Sequence, residues 1–253
     1  MTSQKVCLFC GGGPLTKEHV VPAWIRDILP MEGRVGVFRG GEKGQPAWTM
    51  ASLNQEALIV CGPCNHGWMS RLEGHVKPVL AGAIVGGTKV SLTPARQQLV
   101  STWAVKTSLV LMASMPSLRE SYIPPEHVRA LHQQPTLPPP GTQVWMFHLW
   151  PFVKGTQPFF RGAYVRSASL GRKPDDIEAY LTTFAIGHVG FQVFGRNIIK
   201  PDGLVLQAGT FWDDSVIPVW LPVLPSIEWP PTKTIAYETM GLLCSWGQDV
   251  APL

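Results

Sequence analysis

Two Cys-x-x-Cys knuckles constrain this chain more than any other feature. The first reads Cys7-Leu8-Phe9-Cys10-Gly11-Gly12 and the second Cys61-Gly62-Pro63-Cys64-Asn65. Four thiolates at this spacing suit one tetrahedral zinc ion that holds a small fold together. Four sulfur ligands close the coordination sphere and leave no position for water, so this zinc is expected to be structural rather than catalytic. Between the knuckles lies Lys17-Glu18-His19-Val20-Val21-Pro22. An acid next to a histidine suits a second metal with a base beside it. The plain alternative is a solvated Glu beside a packed His. The fifth cysteine, Cys244, stands alone and reads as a small buried side chain.

The chain has 253 residues, of which 45% are hydrophobic and 15% charged, so a sizeable core is expected and global disorder is not. The 25 glycines and 24 prolines point to many turns and short elements. The net charge of +4 is compatible with nucleic acid but does not by itself indicate it. Up to residue 80 there are 8 basic and 6 acidic residues, and beyond it 13 and 11, so each part carries +2 and neither is a basic patch. No run of about 18 apolar residues suggests a membrane span. Met1-Thr2-Ser3-Gln4-Lys5 lacks the apolar core of a signal peptide. The expected compartment is therefore the reducing cytoplasm, where paired thiols read as metal ligands rather than disulfides.

Residues 1–82 read as one unit. It has possible strands over 34–38 and 58–60 and a helix from Asn65 that places Trp68, Leu72 and Val76 on one face. The glycines from Gly82 to Gly87 suggest a joint. In residues 83–253, Thr93-Pro94 signals the start of a helix running to about Met115, and a short helix fits 126–131. Pro135 to Pro140 is a proline-rich loop. Strand patterns occupy 144–149, 163–166, the long run 182–194, 204–207 and 216–220, with a last helix over 234–246. The fold class expected is α+β, with a small zinc-stapled unit followed by a larger mixed one of open topology.

The cysteine-bearing unit resembles the HNH endonucleases, or ββα-metal nucleases. Their pattern is an acid or His, a His, two residues and Pro, then a middle Asn, closed by Cys-x-x-Cys-Asn at the start of a helix. Glu18, His19, Pro22 and Cys61-x-x-Cys64-Asn65 match in order, over residues 5 to about 75. Glu18 stands where the pattern usually has Asp. The position of the middle Asn holds Glu56, with Asn54 two residues upstream, and the hairpin between Pro22 and Leu58 is longer than in compact members. The resemblance implies a single catalytic Mg²⁺ or Mn²⁺ held by Glu18 and Asn65. It implies His19 as general base, with Asn54 or a strand carbonyl orienting its imidazole. His66 and His75 are further candidates for the metal, although as helix-surface or capping residues they need no function. Arg71 could neutralise phosphate charge, or could be a solvated Arg.

The implied partner is nucleic acid, DNA first, and the implied product carries a 5′ phosphate and a 3′ hydroxyl. No motif identifies the second unit. Trp145, Phe147, Trp150, Phe159, Phe160 and Trp212 could stack on bases, but core packing is the simpler reading. Arg161, Arg166, Arg172, Lys173, Arg196 and Lys200 could follow a phosphate backbone or be ordinary surface charges. Two rivals to the nuclease remain at this level. One is a non-catalytic zinc module that binds nucleic acid or protein. The other is a nuclease gated by a ligand-sensing second unit.

Overall fold

A computed structural model of the chain describes residues 6–29, 35–37, 48–50, 56–86, 88–114, 123–150, 159–166, 177–196 and 215–236. The fold is α+β. Strand β1 (Leu15–His19) pairs antiparallel with β4 (Glu56–Cys61), in a register that sets Leu15 against Cys61 and His19 against Glu56. The register shifts between Thr16 and Lys17. Between these strands lie helix α1 (Ala23–Ile28) and a short antiparallel pair, β2 (Val35–Val37) with β3 (Trp48–Met50). Helix α1 starts directly after Pro22 and buries Trp24 and Ile25.

After Cys61 the chain does not enter a regular helix at Asn65. Cys64–Met69 forms a wide, π-type turn with a break at Gly67 (φ −91°, ψ −109°), and only then does α2 (Ser70–Ile84) begin. Trp68, Leu72 and Val76 are all buried, so the apolar face read from the sequence is real while the backbone leading into it is not regular. Helix α2 also runs through Gly82 to Ile84, so the first glycine of the expected joint is helical.

Strand β5 (Val90–Leu92) leads into α3 (Pro94–Ser114), whose 21 residues span about 31 Å. From Val100 to Ala113 every residue of α3 is buried, as expected of a helix packed on all sides. It lies against α2, β4 and the main sheet. The main sheet is antiparallel. It contains β6 (Thr142–His148), β7 (Phe159–Arg166), β8 (Ile177–Ile186), β9 (Val189–Arg196) and β10 (Val216–Trp220), in the order β10-β6-β9-β8-β7. Helix α4 (Pro125–Gln133) precedes the sheet, and β11 (Ile227–Trp229) returns to pair with β5.

The long run 182–194 is not one strand but two, parts of β8 and β9 joined at Gly187-His188. Both flanks are apolar because most of the hairpin is buried, which hides the turn from a hydrophobicity reading. Gly187 adopts φ +57°, and a Cβ there would collide with the carbonyl oxygen of Ile84. Only glycine allows this approach, and His188 N–H then donates to the same carbonyl at 2.9 Å. The hairpin is thereby tied to the end of α2.

The buried apolar residues form one connected cluster from Cys7 to Trp229. Trp103 of α3 joins its parts, lying 6.4 Å from the ring of Trp24 in α1 and 5.6 Å from that of Phe191 in β9. Residues 234–236 are not helical, and Ile235 instead forms a bridge with Leu149. The rest of the expected final helix, the expected strand 204–207 and Cys244 lie outside the described residues. No helix among the described residues is long and apolar enough to cross a membrane.

Candidate functional site

The first knuckle is a tight turn. Gly11 N–H donates to the Cys7 carbonyl at 3.0 Å, and Cys7 N–H donates to the Gly12 carbonyl at 2.8 Å. Gly11 adopts φ +71°, a conformation glycine tolerates without strain. Leu8 N–H donates to the Ile59 carbonyl at 2.7 Å, which fixes the turn against β4. Cys61 ends β4 and Cys64 opens the wide turn, so the second knuckle sits beside the first. Phe9 packs edge-on against Trp68 at 4.9 Å and closes the apolar side.

The four sulfurs lie within 4.8 Å of one another, and the four cysteines can hold a metal ion. The Cys10 and Cys61 sulfurs are 3.4 Å apart, too far for a disulfide, and all four thiols are unpaired. A tetrahedral Zn–S distance of about 2.3 Å gives sulfur–sulfur edges of about 3.8 Å, close to the spacing seen. Burial pushes the Cys7 thiol up, but hydrogen bonds from the backbone at Cys10, Cys61 and Phe9 outweigh it and bring it down to about 7. Burial pushes the Cys61 thiol up and the Cys64 thiol well up. Buried thiols this close cannot all ionise without a cation among them, and a divalent ion supplies that charge.

Asn65 is placed by strand β1. Its Nδ2 donates to Thr16 Oγ1 at 3.2 Å and to the Lys17 carbonyl at 3.1 Å. These bonds fall at the register shift, where the β1–β4 ladder is irregular and a backbone carbonyl needs a partner. The side chain thus stitches the start of the wide turn to the strand that carries Glu18 and His19.

Neighbouring strand residues point to opposite faces, and Glu18 and His19 accordingly have different surroundings. Glu18 is only 5% exposed. Burial pushes its carboxyl up to about 7, against the pull of the Lys106 ammonium and with a further push from Glu73. Lys106 of α3 is 1% exposed and donates to Glu73 Oε1 at 2.6 Å. His19 keeps 32% of its side chain exposed, and its Nε2 lies 3.8 Å from Glu56 Oε1 across the strand pair. Lys17 Nζ meets the other oxygen of Glu56 at 3.0 Å. That hydrogen bond, with the charges of Lys17, His19 and Arg26, holds Glu56 below the usual carboxylate range despite some desolvation.

The structure thus sets the cysteine cluster at the start of β1, with Cys61 opposite Leu15 and Asn65 bonded at Thr16 and Lys17, while Glu18 and His19 lie at the far end of the same strand. His66, Arg71 and His75 are exposed on the wide turn and α2. Asn54 lies outside the described residues, as do Arg172, Lys173, Lys200 and Trp212. For Arg161, Arg166, Phe159 and Phe160 only the backbone is described. Arg196 ends β9 and is half-buried. Trp145 and Phe147 are core residues, whereas Trp150 is exposed with one face stacked on His188.

Three residues of this region escape a reading of the sequence. Glu56 merely occupies the middle-Asn position there, whereas the strand register sets it opposite His19. Lys106 carries a signal, as the one charged residue between Leu99 and Ala113. Glu73 carries none, because a glutamate on an amphipathic helix is ordinarily solvated. No family model, curated protein or solved structure matches the chain.

Proposed function

We propose that the chain is a metal-dependent endonuclease of the HNH type, with nucleic acid, DNA first, as its substrate. The observation that carries this reading is the arrangement along β1. A cysteine cluster fit for zinc fixes the start of the strand, His19 stands part-exposed at its far end, and Glu56 lies across from the imidazole. The zinc is structural: four thiolates fill its coordination sphere. Unpaired thiols suit a reducing compartment.

The buried charges suit a second, divalent cation. Glu18 and Glu73 share one ammonium, so when both are ionised the cluster carries one negative charge in excess. Magnesium is commonly held by one or two protein oxygens, with waters and substrate phosphate completing the shell. Glu18 and the carbonyl oxygen of the Asn65 side chain are the donors that would hold it. When bound, such an ion supplies charge for the scissile phosphate and the leaving 3′ oxygen.

The remaining steps fall to this chain's own groups. His19, part-exposed to solvent, takes a proton from the attacking water. Glu56 orients the imidazole and stabilises the imidazolium that forms, the task that the family resemblance assigns to Asn54 or a strand carbonyl. The Asn65 amide holds β1 so that Glu18 and His19 keep their spacing. Arg71, exposed on the first turn of α2, would meet a phosphate outside the cluster.

One observation favours the rival reading of a non-catalytic zinc module. Asn65 spends its amide on β1 and Glu18 is almost sealed, which is also what a purely structural role would require. Plasmid nicking separates the two. The wild-type chain should nick DNA only with Mg²⁺ or Mn²⁺, and His19→Ala should cut roughly 10²–10⁴-fold more slowly while keeping its zinc. Unchanged cleavage by purified His19→Ala would end the nuclease assignment for this strand.

A further inference from the structure

We propose that Trp150 is a stacking platform for an unpaired nucleobase, a second nucleic-acid contact outside the cysteine-bearing segment. This extends the nuclease reading above, rests on it for the choice of nucleic acid, and names single-stranded substrate as what the larger unit grips. Of the aromatic residues that the sequence offers for stacking, Trp145 and Phe147 are sealed in the core, while Trp150, just beyond β6, is 54% exposed.

One exposed tryptophan is ordinary on a protein surface. This one is the outer ring of a column. Its indole stacks on His188 at 5.4 Å, His188 lies 5.7 Å from His148, and His148 meets Trp229 edge-on at 5.7 Å. The backbone beneath is clamped as well. Trp150 N–H donates to the Ile235 carbonyl at 3.1 Å, Ile235 N–H to the His148 carbonyl at 2.8 Å, and Leu149 N–H to the His188 carbonyl at 3.0 Å. His188 Nδ1 donates in return to the Leu149 carbonyl at 3.0 Å. Gly86 leaves room for the imidazole, since a Cβ there would collide with the His188 ring. An exposed ring held this firmly loses little freedom when a ligand stacks on it, which favours binding. The column also carries a cost in stability. His148 is nine-tenths buried, and its Nδ1 has no hydrogen-bond partner among the described residues. Such departures from full satisfaction are characteristic of functional sites.

The charges nearby suit a phosphate backbone. Lys89 is exposed beside Val90, which pairs with Trp229, and Lys233 is exposed two residues before Ile235. The segments that build the column, 84–92, 145–150, 186–190 and 227–236, hold these two lysines and a single carboxylate. That carboxylate, Glu228, alternates along β11 with the buried Trp229 and accepts from the Ser226 hydroxyl at 3.1 Å. A flat ring with cations near its rim is the combination that holds single strands without regard to sequence. Bases in a duplex are already covered on both faces by their neighbours, so the platform selects unpaired ones.

The test uses the full chain in EDTA, so that binding is read apart from cleavage. Fluorescence anisotropy compares a labelled oligothymidylate with a duplex of the same length, over a range of salt concentrations. Trp150→Ala should bind the single strand roughly 5–150-fold more weakly, the worth of one stacked base, and Trp150→Phe should recover much of that. Duplex affinity and the salt dependence of binding should stay at wild-type values, because no phosphate contact is removed. Zinc content and thermal midpoint report folding. The wild-type chain, irradiated with an oligothymidylate carrying 5-iodouracil, should crosslink at Trp150, as located by mass spectrometry. That arm needs no variant and decides the matter even if Trp150→Ala fails to fold.

Wild-type single-strand affinity in folded Trp150→Ala would overturn the proposal, as would an equal loss on duplex and single strand or crosslinks that all fall elsewhere. If Trp150→Ala instead changes the sedimenting mass and leaves DNA binding alone, the column is a contact between copies of the chain and the platform is excluded. If wild type and His19→Ala cleave alike, the nuclease reading falls whatever Trp150 does. If they differ and Trp150→Ala binds as the wild type does, only the platform falls.

Discussion

Glu18 and His127 show how burial sets the behaviour of single residues here. His127 lies in α4, with Nε2–H donating to the Arg196 carbonyl at 3.0 Å and Nδ1 accepting from the Tyr180 hydroxyl at 3.2 Å. Burial depresses it to about 4, although backbone hydrogen bonds at Arg196 and Pro140 resist. Its contribution to stability is present above its ordinary value of 6.5 and is lost as pH falls through about 4. Glu18 acts in the opposite sense. Raised from 4.5 to about 7, it contributes stability that is present below 4.5 and lost as pH rises through about 7. The two slopes offset each other between these limits, so the thermal midpoint of the wild type without added divalent cation should vary little there. Glu18→Gln should expose the His127 slope, with stability rising from pH 4 to 6.5. A flat profile in that variant would contradict the buried, neutral His127. At the same scale, Glu56→Gln should slow cleavage by roughly tenfold without loss of zinc, if the carboxylate stabilises the His19 imidazolium.

Elements meet here through backbone contacts as much as side chains. The β8–β9 hairpin touches α2 at Gly187, where a Cβ would collide with the Ile84 carbonyl oxygen that accepts from His188 N–H. Gly187→Ala should therefore cost about 1–3 kcal/mol from its positive φ, with a further loss from the broken approach, measured by denaturant unfolding. Cys61 ends β4 opposite Leu15 of β1, so Cys61→Ser should release both the metal and the strand pair. Zinc should be lost together with the β-rich circular-dichroism signal of this segment, since metal binding and local folding are coupled.

For the whole molecule, the cysteine-bearing segment leans on the elements beyond residue 86. Helix α2 buries Leu72, Val76, Val79, Leu80 and Ala83, with α3 lying against it, and Trp103 covers Trp24. A chain cut after residue 86 would bare this face and leave Glu18 and Glu73 without Lys106. Such a fragment should lack a cooperative thermal transition even with zinc added, whereas the full chain should melt in one step by calorimetry. A well-folded, zinc-loaded fragment would instead show that the two parts are separable.

The local chemistry was readable in the order of residues. The paired knuckles announce a metal cluster because ligand spacing within a tight turn is a local property. The apolar face of Trp68, Leu72 and Val76 comes from helical periodicity, and strand β10 lies where its pattern placed it. Other features depended on the packed chain. The turn at Gly187-His188 was hidden within the run 182–194, because burial on both sides removes the alternation that marks a strand's end. Short elements such as β5, β11 and α1 are too brief to carry a period and are held by their neighbours. The pairing of Glu56 with His19 needed the β1–β4 register, which a shift at Thr16/Lys17 alters by one residue. The convergence of Glu18, Glu73 and Lys106 needed three elements to meet. Charge partners far apart in sequence leave no local trace, since the energy that brings them together is the burial of the apolar residues around them.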